Sequence, residues 1–208
     1  MTSPSRISRA RILEQLRLAS RKGDRGALML ATDQMKTLAY SPRYWDRYLE
    51  LLSNPLARLV DLMAEMGVVI HHLKNRPDVR GDRLGVTGFC VGGTIAFLTA
   101  CRHAAAIKVA VSFYGGGIGA DTPAAPINLA DRLQCPILCF FGETDKMIPM
   151  DQVRRVDETL KRLKKTGEVK VFKGAGHGFF CNDRPSYDAS AAQTSWDTTL
   201  LWFSKYLN

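Results

Sequence analysis

"GVTGFCVGG", residues 85–93, places a cysteine among four glycines at the end of a run of strand-forming residues. Gly88, Cys90 and Gly92 fit G-x-C-x-G, the cysteine form of a sharp strand-to-helix turn that holds a nucleophilic side chain at its apex. We expect both glycines to be needed, because side chains two positions from the strained apex would collide with the strand or the helix. The same letters fit a glycine-rich turn around a buried, inert cysteine, so the rest of the chain has to decide.

The composition is ordinary for a globular protein. The 208 residues suffice for one domain with a core, and 24% are charged against 46% hydrophobic. No run of about 18 apolar residues is present, so we expect no association with a membrane. The net charge is +9, but no nucleic-acid-binding motif and no basic patch interleaved with aromatic residues occurs. We therefore expect no nucleic-acid partner.

The N-terminal part of the chain carries much of the positive charge. Residues 1–45 hold nine Arg or Lys and three Asp or Glu, which amounts to +6. The stretch "SRISRARILEQLRLASRKG" (5–23) has the arginine-rich, acid-poor composition of a mitochondrial transit peptide. No cleavage context accompanies it, so a solvated amphipathic helix is the preferred interpretation.

The cysteines indicate reduced thiols. They are odd in number, form no C-x-x-C pair and follow no secretory signal: Cys90, Cys101, Cys135, Cys139 and Cys181. This pattern is typical of a cytoplasmic protein. No cysteine combines with a histidine at ligand spacing on two arms, so we predict no metal site.

Strands and helices alternate from residue 54 onward. The predicted elements are a helix over 54–74, a strand over 82–88, a helix over 92–104, a strand over 107–115, a strand over 136–142, a helix over 151–164, a strand over 168–174, and a closing helix striped by Trp196, Leu200, Phe203 and Leu207. This order predicts an α/β fold with a mostly parallel sheet and helices on both faces. We expect a single domain over 1–208, with a divergent or incomplete part at 1–53 and the core at 54–208.

Three reactive residues follow three of the predicted strands. Cys90 comes after the first strand, Asp145 after the third in "GETDKMIP", and His177 after the fourth in "GAGHGFF". Ligand sites in open α/β sheets gather at the carboxyl ends of the strands. The order nucleophile, acid, histidine is that of an α/β-hydrolase triad.

Alternatives exist for individual members of this group. Glu143 could replace Asp145 as the acid, although Asp145 leaves more loop to reach back towards His177, and Asp145 could be a plain turn aspartate. Asp151 is expected to cap the helix that begins there. Surface or core packing is expected for three histidines that follow no strand: His71, His72 and His103.

The chain resembles the dienelactone hydrolase (carboxymethylenebutenolidase) family over residues 54–208. The matching stretches, in chain order, are "DVRGDRLGVTGFCVGG", "SFYGGG", "PILCFFGETDKMIP" and "GAGHGFFCNDRPSYDASAAQTSW". The resemblance implies an α/β-hydrolase fold and a triad of Cys90, Asp145 and His177. It also implies hydrolysis of a lactone or ester of small size, without a cofactor.

The N-terminal part departs from the family pattern. Members open with a hairpin, a strand and a loop of His-Glu-x-x-Gly type, none of which occurs here. "ILEQLRLASRKG" (12–23) resembles the helix after that loop, and "RGALMLATD" (25–33) resembles the next strand. We therefore expect an N-terminally shortened fold, from a late-annotated start codon or a natural truncation, with the full protein beginning tens of residues upstream. The missing loop would supply a second oxyanion donor and a glutamate that pairs with the resting cysteine.

Three further residues are expected at the site. The N–H of Val91, at the start of a helix, would hold the oxyanion. Arg184 would bind the carboxylate of a dienelactone, or would instead anchor the last loop. Tyr114 would line the pocket, or would pack in the core with its hydroxyl at the rim.

Two other functions remain open at this point. One is a broader carboxylesterase or thioesterase, since the fold and triad do not fix the substrate. The other is a truncated, inactive chain that binds partners through an unpaired sheet. Whether the protein is a monomer or a dimer is open as well.

Overall fold

The computed structural model describes residues 66–207 together with Glu14, Gln15 and Leu18. The chain divides into two compact units, Met1–Leu59 and Val60–Asn208. Every element below belongs to the second unit. In the first, Glu14, Gln15 and Leu18 are helical. The rest of the predicted N-terminal helix, the strand-like segment at 25–33 and the start of the helix at 54 lie outside the described residues.

Four parallel strands form the described sheet, in the spatial order β1-β2-β3-β4. They are β1 (Leu84–Phe89), β2 (Ile107–Phe113), β3 (Ile137–Gly142) and β4 (Gly167–Phe172). Phe89 pairs with Phe113, Phe113 with Phe140, and Gly142 with Phe172, so all four strands end at one edge. This confirms the predicted parallel α/β arrangement. It also brings the residues after β1, β3 and β4 to a common edge.

Helices follow the strands and cover both faces of the sheet. They are α1, helical over 66–74 in its described part, α2 (Val91–Arg102), α3 (Met150–Arg162) and α4 (Ala189–Leu207), with a 3-10 helix at Pro126–Arg132. None of the helices described is long and apolar enough to cross a membrane.

The two faces of the sheet can be told apart at β2. A Cβ built on Gly93 of α2 would lie 3.0 Å from Ser112 Oγ, whereas one built on Gly85 would lie 3.1 Å from Val109 Cγ1 and 3.2 Å from Leu207 Cδ1 of α4. Ser112 and Val109 point to opposite faces, because their spacing along the strand is odd. Thus α2 covers one face and α4 the other. Both central strands, β2 and β3, are almost wholly buried, as their apolar sequences require.

Helix α3 follows its predicted pattern on one point and departs from it on another. The spacing of Val153, Val156 and Leu160 predicts one apolar face for this helix, and all three are buried. The predicted cap at Asp151 is wrong, because Pro149 occupies the N-cap position and no side chain bonds there. Asp151 lies in the first turn instead, where its negative charge interacts favourably with the helix dipole.

The stripe predicted for α4 is right for Phe203 and Leu207 and wrong for Trp196 and Leu200. A Cβ built on Gly85 of β1 would lie 3.7 Å from Phe203 Cε1 and 3.2 Å from Leu207 Cδ1. Trp196 and Leu200 are 39% and 49% exposed, whereas Ser195 and Thr199 are fully buried. The Ser195 hydroxyl donates to the Ala192 carbonyl at 2.9 Å, and the Thr199 hydroxyl donates to the Ser195 carbonyl at 2.8 Å. Small side chains let this helix approach the sheet, and these bonds remove the cost of burying the hydroxyls.

Candidate active site

Cys90 stands at the sharp turn between β1 and α2. Its backbone has φ 57° and ψ −122°, a conformation that a residue with a side chain rarely adopts. The Cys90 N–H donates to the Phe113 carbonyl at 3.0 Å, and the Cys90 carbonyl accepts from Gly93 N–H at 2.9 Å. A strained backbone of this kind persists because its surroundings fix it, and such strain is concentrated at functional sites.

The two glycines of the G-x-C-x-G motif differ in what they contribute. A Cβ on Gly88 would lie 2.1 Å from the Gly92 carbonyl oxygen, so no other residue fits at that position. A Cβ on Gly92 would meet nothing within 4 Å, so the predicted collision there is wrong. The Gly92 backbone is what approaches the strand, since a Cβ on Gly88 would also lie 2.3 Å from the Gly92 carbonyl carbon and 3.0 Å from its Cα. Close approach to the sheet falls instead to Gly93, whose Cβ would lie 2.5 Å from the Phe113 carbonyl oxygen.

The structure brings Cys90, His177 and Asp145 together. His177 Nε2 lies 3.2 Å from Cys90 Sγ, and His177 Nδ1 lies 2.7 Å from Asp145 Oδ2. The Asp145 side chain is fully buried, and that of His177 is 11% exposed. With Nδ1–H donated to the carboxylate, Nε2 remains free to accept the proton of the thiol. The geometry is that of a nucleophile, a base and an orienting acid.

The second carboxylate oxygen of Asp145 is also engaged. Oδ1 accepts from Met147 N–H at 2.8 Å and from Ile148 N–H at 3.2 Å. Asp145 is therefore both a turn aspartate and the partner of His177, two interpretations that the sequence presented as alternatives. Its bonds to the turn hold Oδ2 towards the imidazole.

Glu143 and Thr144 connect two loops at the site. One, the acid loop, follows β3 and carries Asp145; the other, the histidine loop, follows β4 and carries His177. The Glu143 carboxylate accepts from Gly174 N–H at 2.9 Å, whereas Asp145 is the carboxylate that contacts His177. Both the N–H and the hydroxyl of Thr144 lie 2.9 Å from the Ala175 carbonyl oxygen. A Cβ built on Gly142 would lie 2.4 Å from that same oxygen, so glycine is required where the loops cross.

His177 stands between two glycines, and Gly178 has φ 77°. The Ser186 hydroxyl donates to the His177 carbonyl at 2.7 Å. The Arg184 side chain covers Gly178, with Cδ 3.3 Å from the position that a Cβ would occupy there. Neither Ser186 nor Thr144 was predicted from the sequence. A serine or threonine in a loop has no signal of its own, because its partner is a backbone atom distant in sequence.

Tyr114 borders the triad at the end of β2. Its ring lies 5.2 Å from that of His177 in a T-shaped arrangement, and its backbone has φ 37°. The residue is 3% exposed. Burial raises the pKa of its hydroxyl to about 12, and the nearby Cys181 and Cys90 thiols add to this rise. The hydroxyl therefore remains protonated and can act as a donor near neutral pH.

The other two predicted site residues lie at the same edge. Val91 begins α2, and the described residues provide no hydrogen-bond acceptor for its N–H. Arg184 is exposed, lies within electrostatic reach of the Tyr114 hydroxyl, and has no ion-pair partner in the described part of the chain.

The remaining candidate groups lie elsewhere. His71 and His72 are exposed on α1, and His103 follows α2. All five thiols are free. Burial raises the pKa of Cys101 and Cys139 to about 12 and that of Cys135 to about 11, so these three thiols stay unreactive. Within residues 66–207, no three His, Cys, Asp or Glu side chains are placed to hold a metal ion.

Comparison with known proteins gives a consistent result. The model of the "Dienelactone hydrolase family" matches residues 46–207. A "Putative carboxymethylenebutenolidase" of Escherichia coli K12 is 36% identical over 162 residues, which cover 75% of this chain and 59% of that protein. A "Probable 2-oxo-3-(5-oxofuran-2-ylidene)propanoate lactonase" of Bradyrhizobium is 32% identical over 150 residues, covering 70% of this chain and 60% of that protein.

The fold is shared with a solved structure. The crystal structure of a "Putative Dienelactone Hydrolase" from Klebsiella pneumoniae is 32% identical, with a TM-score of 0.60 over 71% of this chain and 60% of that one. The fold is accordingly the α/β-hydrolase fold expected from the sequence. In each of these comparisons the aligned part of the chain spans about three-fifths of the relative's length.

Proposed function

The chain belongs to the dienelactone hydrolase family, and we propose that it cleaves a lactone or ester bond of a small molecule with Cys90 as nucleophile. The observation that carries this proposal is the continuous contact from Sγ of Cys90 through the imidazole of His177 to the buried carboxylate of Asp145, at 3.2 Å and 2.7 Å. A buried acid at that distance supports the imidazole in the orientation that a general base needs.

In the first half of the reaction, His177 Nε2 takes the proton of the Cys90 thiol as Sγ attacks the carbonyl carbon of the substrate. The carbonyl π electrons move to its oxygen and form a tetrahedral oxyanion. The oxyanion collapses, the bond to the ring or ester oxygen breaks, and that oxygen receives the proton from His177. A lactone ring is thereby opened, and its acyl group remains attached to the protein as a thioester.

In the second half, water attacks the thioester while His177 accepts one of its protons. The tetrahedral intermediate expels the Cys90 thiolate, which recovers its proton from His177. The product is the carboxylic acid. Asp145 keeps its charge throughout and stabilises the imidazolium that forms in each half.

The oxyanion would be stabilised at the start of α2. The Val91 N–H directly follows the nucleophile, and the positive end of the helix dipole adds to its effect. The loss of one oxyanion donor in other enzymes costs about 3–4 kcal/mol, so the number of donors has a large effect on rate. The protonated Tyr114 hydroxyl lies near the Cys90 thiol and would help to orient the substrate.

Arg184 supports a substrate that carries a carboxylate. Its guanidinium is exposed near Tyr114 and has no ion-pair partner among the described residues, so it can bind an anion without breaking an ion pair. The Bradyrhizobium relative is named for a lactone with a propanoate group. We propose an anionic lactone as the preferred class.

Hydrolysis by the purified 208-residue chain tests the proposal. The assay compares a dienelactone, a neutral aryl ester and an acyl thioester, with Cys90→Ala as control and circular dichroism to show that both proteins are folded. We expect the lactone to be hydrolysed, and the alanine variant to lose at least about 10³-fold in rate. Turnover of the thioester alone would change the substrate class. A folded protein without turnover on any substrate would contradict the proposal.

A further inference from the structure

We propose that Ser186 is a positioning residue that fixes His177 against Cys90. This inference rests on the proposed role of His177 as the base, but it concerns a residue outside the triad. The Ser186 hydroxyl donates to the His177 carbonyl at 2.7 Å, in a partly buried position. It is the side-chain hydrogen bond through which the described part of the chain holds the backbone of His177.

The need for such a bond follows from the two glycines beside His177. Gly176 and Gly178 give the backbone more freedom than any other residue would, and Gly178 has φ 77°. Ser186 approaches both: its Cβ lies 3.8 Å from a Cβ built on Gly176, and its Oγ lies 3.7 Å from one built on Gly178. The serine therefore lies close to the backbone on both sides of the histidine.

The segment that carries Ser186 is itself anchored. Tyr187 N–H donates to the Arg184 carbonyl at 3.0 Å, and Asp188 N–H donates to the Phe179 carbonyl at 2.9 Å. The Asp188 carboxylate accepts from Ala191 N–H at 2.9 Å, which joins the segment to the first turn of α4. Ser186 thus transmits the position of a long, packed helix to the carbonyl of His177.

Loss of the bond would act on the chemistry more than on substrate binding. The Cys90–His177 contact is 3.2 Å, and a shift of about 1 Å in a catalytic group can cost about 100-fold in rate. The substrate is expected to contact Val91, Tyr114 and Arg184, and the substitution removes none of these groups. A lower kcat with an unchanged KM is the result that a positioning role predicts.

Three variants of the full chain test the inference. Ser186→Ala removes the hydroxyl, and Ser186→Thr keeps it. Ser195→Ala is the matched control, because it removes a serine hydroxyl that also donates to a backbone carbonyl but lies in α4 away from the triad. For each protein, kcat and KM, the unfolding midpoint in urea, and the rate at which iodoacetamide alkylates Cys90 are measured. Peptide mass spectrometry separates Cys90 from Cys181.

We expect Ser186→Ala to lower kcat by about 10- to 100-fold and to slow alkylation of Cys90 severalfold, with KM within twofold of the parent. Ser186→Thr should stay within about threefold of the parent, and Ser195→Ala should lower the urea midpoint without changing kcat or alkylation. Unchanged kcat and alkylation in Ser186→Ala would overturn the inference, as would an equal loss in Ser195→Ala.

The alkylation assay separates this inference from the proposed function. If the parent hydrolyses none of the substrates but its Cys90 reacts faster than glutathione, and Ser186→Ala abolishes that advantage, the positioning role stands and the proposed hydrolase activity fails. If Cys90 in the parent reacts no faster than glutathione, His177 does not activate it. The kcat of Ser186→Ala then decides: an unchanged kcat, or a parent without turnover, overturns the positioning role.

Discussion

The nucleophile turn and the histidine loop meet at one thiol, but they are held in place by different means. At the turn, main-chain contacts fix the structure. The Cys90 N–H donates to the Phe113 carbonyl, the Cys90 carbonyl accepts from Gly93 N–H, and the absence of a side chain at Gly88 leaves room for the Gly92 carbonyl. The histidine loop has one such backbone contact, where Gly142 meets the Ala175 carbonyl, and otherwise depends on side chains from two other segments. Thr144 and Glu143 hold it on one side, and Ser186 holds it on the other.

This difference predicts how each region responds to substitution. Displacing closely packed main chain costs much free energy, because the neighbouring atoms leave no space for it to move into. Hydrogen bonds from side chains contribute about 1 kcal/mol each and can be lost one at a time. The turn should therefore fail abruptly, and the histidine loop should lose precision by degrees.

The largest effect is expected at the turn. Gly88→Ala would place a Cβ 2.1 Å from the Gly92 carbonyl oxygen. We expect the free energy of unfolding to fall by about 3 kcal/mol or more and activity to disappear, as urea denaturation and the lactone assay would show. Gly92→Ala is the matched control and should leave stability unchanged or raise it by up to about 1 kcal/mol. Equal losses in the two variants would show that the turn is not confined by backbone contact.

The next effect separates two carboxylates of the acid loop. Asp145→Asn keeps the shape of the side chain but no longer favours Nδ1–H of His177, so kcat should fall by about 10²- to 10⁴-fold. Glu143→Gln keeps an oxygen that can accept from Gly174 N–H, so its kcat should stay within about threefold. Steady-state kinetics on both variants checks the pair. A larger loss in Glu143→Gln than in Asp145→Asn would show that Asp145 is not the acid.

The smallest effect is expected where the loops are joined. Thr144→Val removes the hydroxyl but keeps the N–H that donates to Ala175, so only part of the connection is lost. We expect kcat to fall by about two- to tenfold, with the free energy of unfolding lowered by about 0.5–1 kcal/mol. Thr198→Val removes an exposed hydroxyl bond within α4 and serves as control. A loss of 100-fold or more in kcat for Thr144→Val would mean that the histidine loop tolerates substitution no better than the turn.

Much of the fold and the triad could be predicted from local sequence. The parallel sheet follows from alternating strands and helices, and the meeting of Cys90, Asp145 and His177 follows from strands that end at one edge. These predictions succeed because hydrophobic periodicity and chain order are written in consecutive residues. The order alone left Glu143 open as the acid; in the structure Glu143 contacts Gly174 and Asp145 contacts His177.

Other features depend on distances that no local pattern contains. The exposure of Trp196 and Leu200 was unforeseen, because in this part of α4 the small residues Ser195 and Thr199 are the buried ones. Gly92 looked equivalent to Gly88 in the motif, yet only the three-dimensional turn shows which of the two meets backbone. Ser186 was missed for the same reason. Its partner is a carbonyl nine residues earlier, and any loop serine would look alike in the sequence.

The buried thiols at the interface of α2 and the sheet are natural probes of local opening in this protein. Cys101 lies on α2, and Cys139 pairs with Ser112 on the face that α2 covers. Neither can meet a reagent in solution until this helix lifts away. The rate at which they are trapped, compared with an unfolded chain, therefore measures the free energy of one local opening. Since the same helix begins beside Cys90, that rate also reports how often Cys90 loses the support of α2.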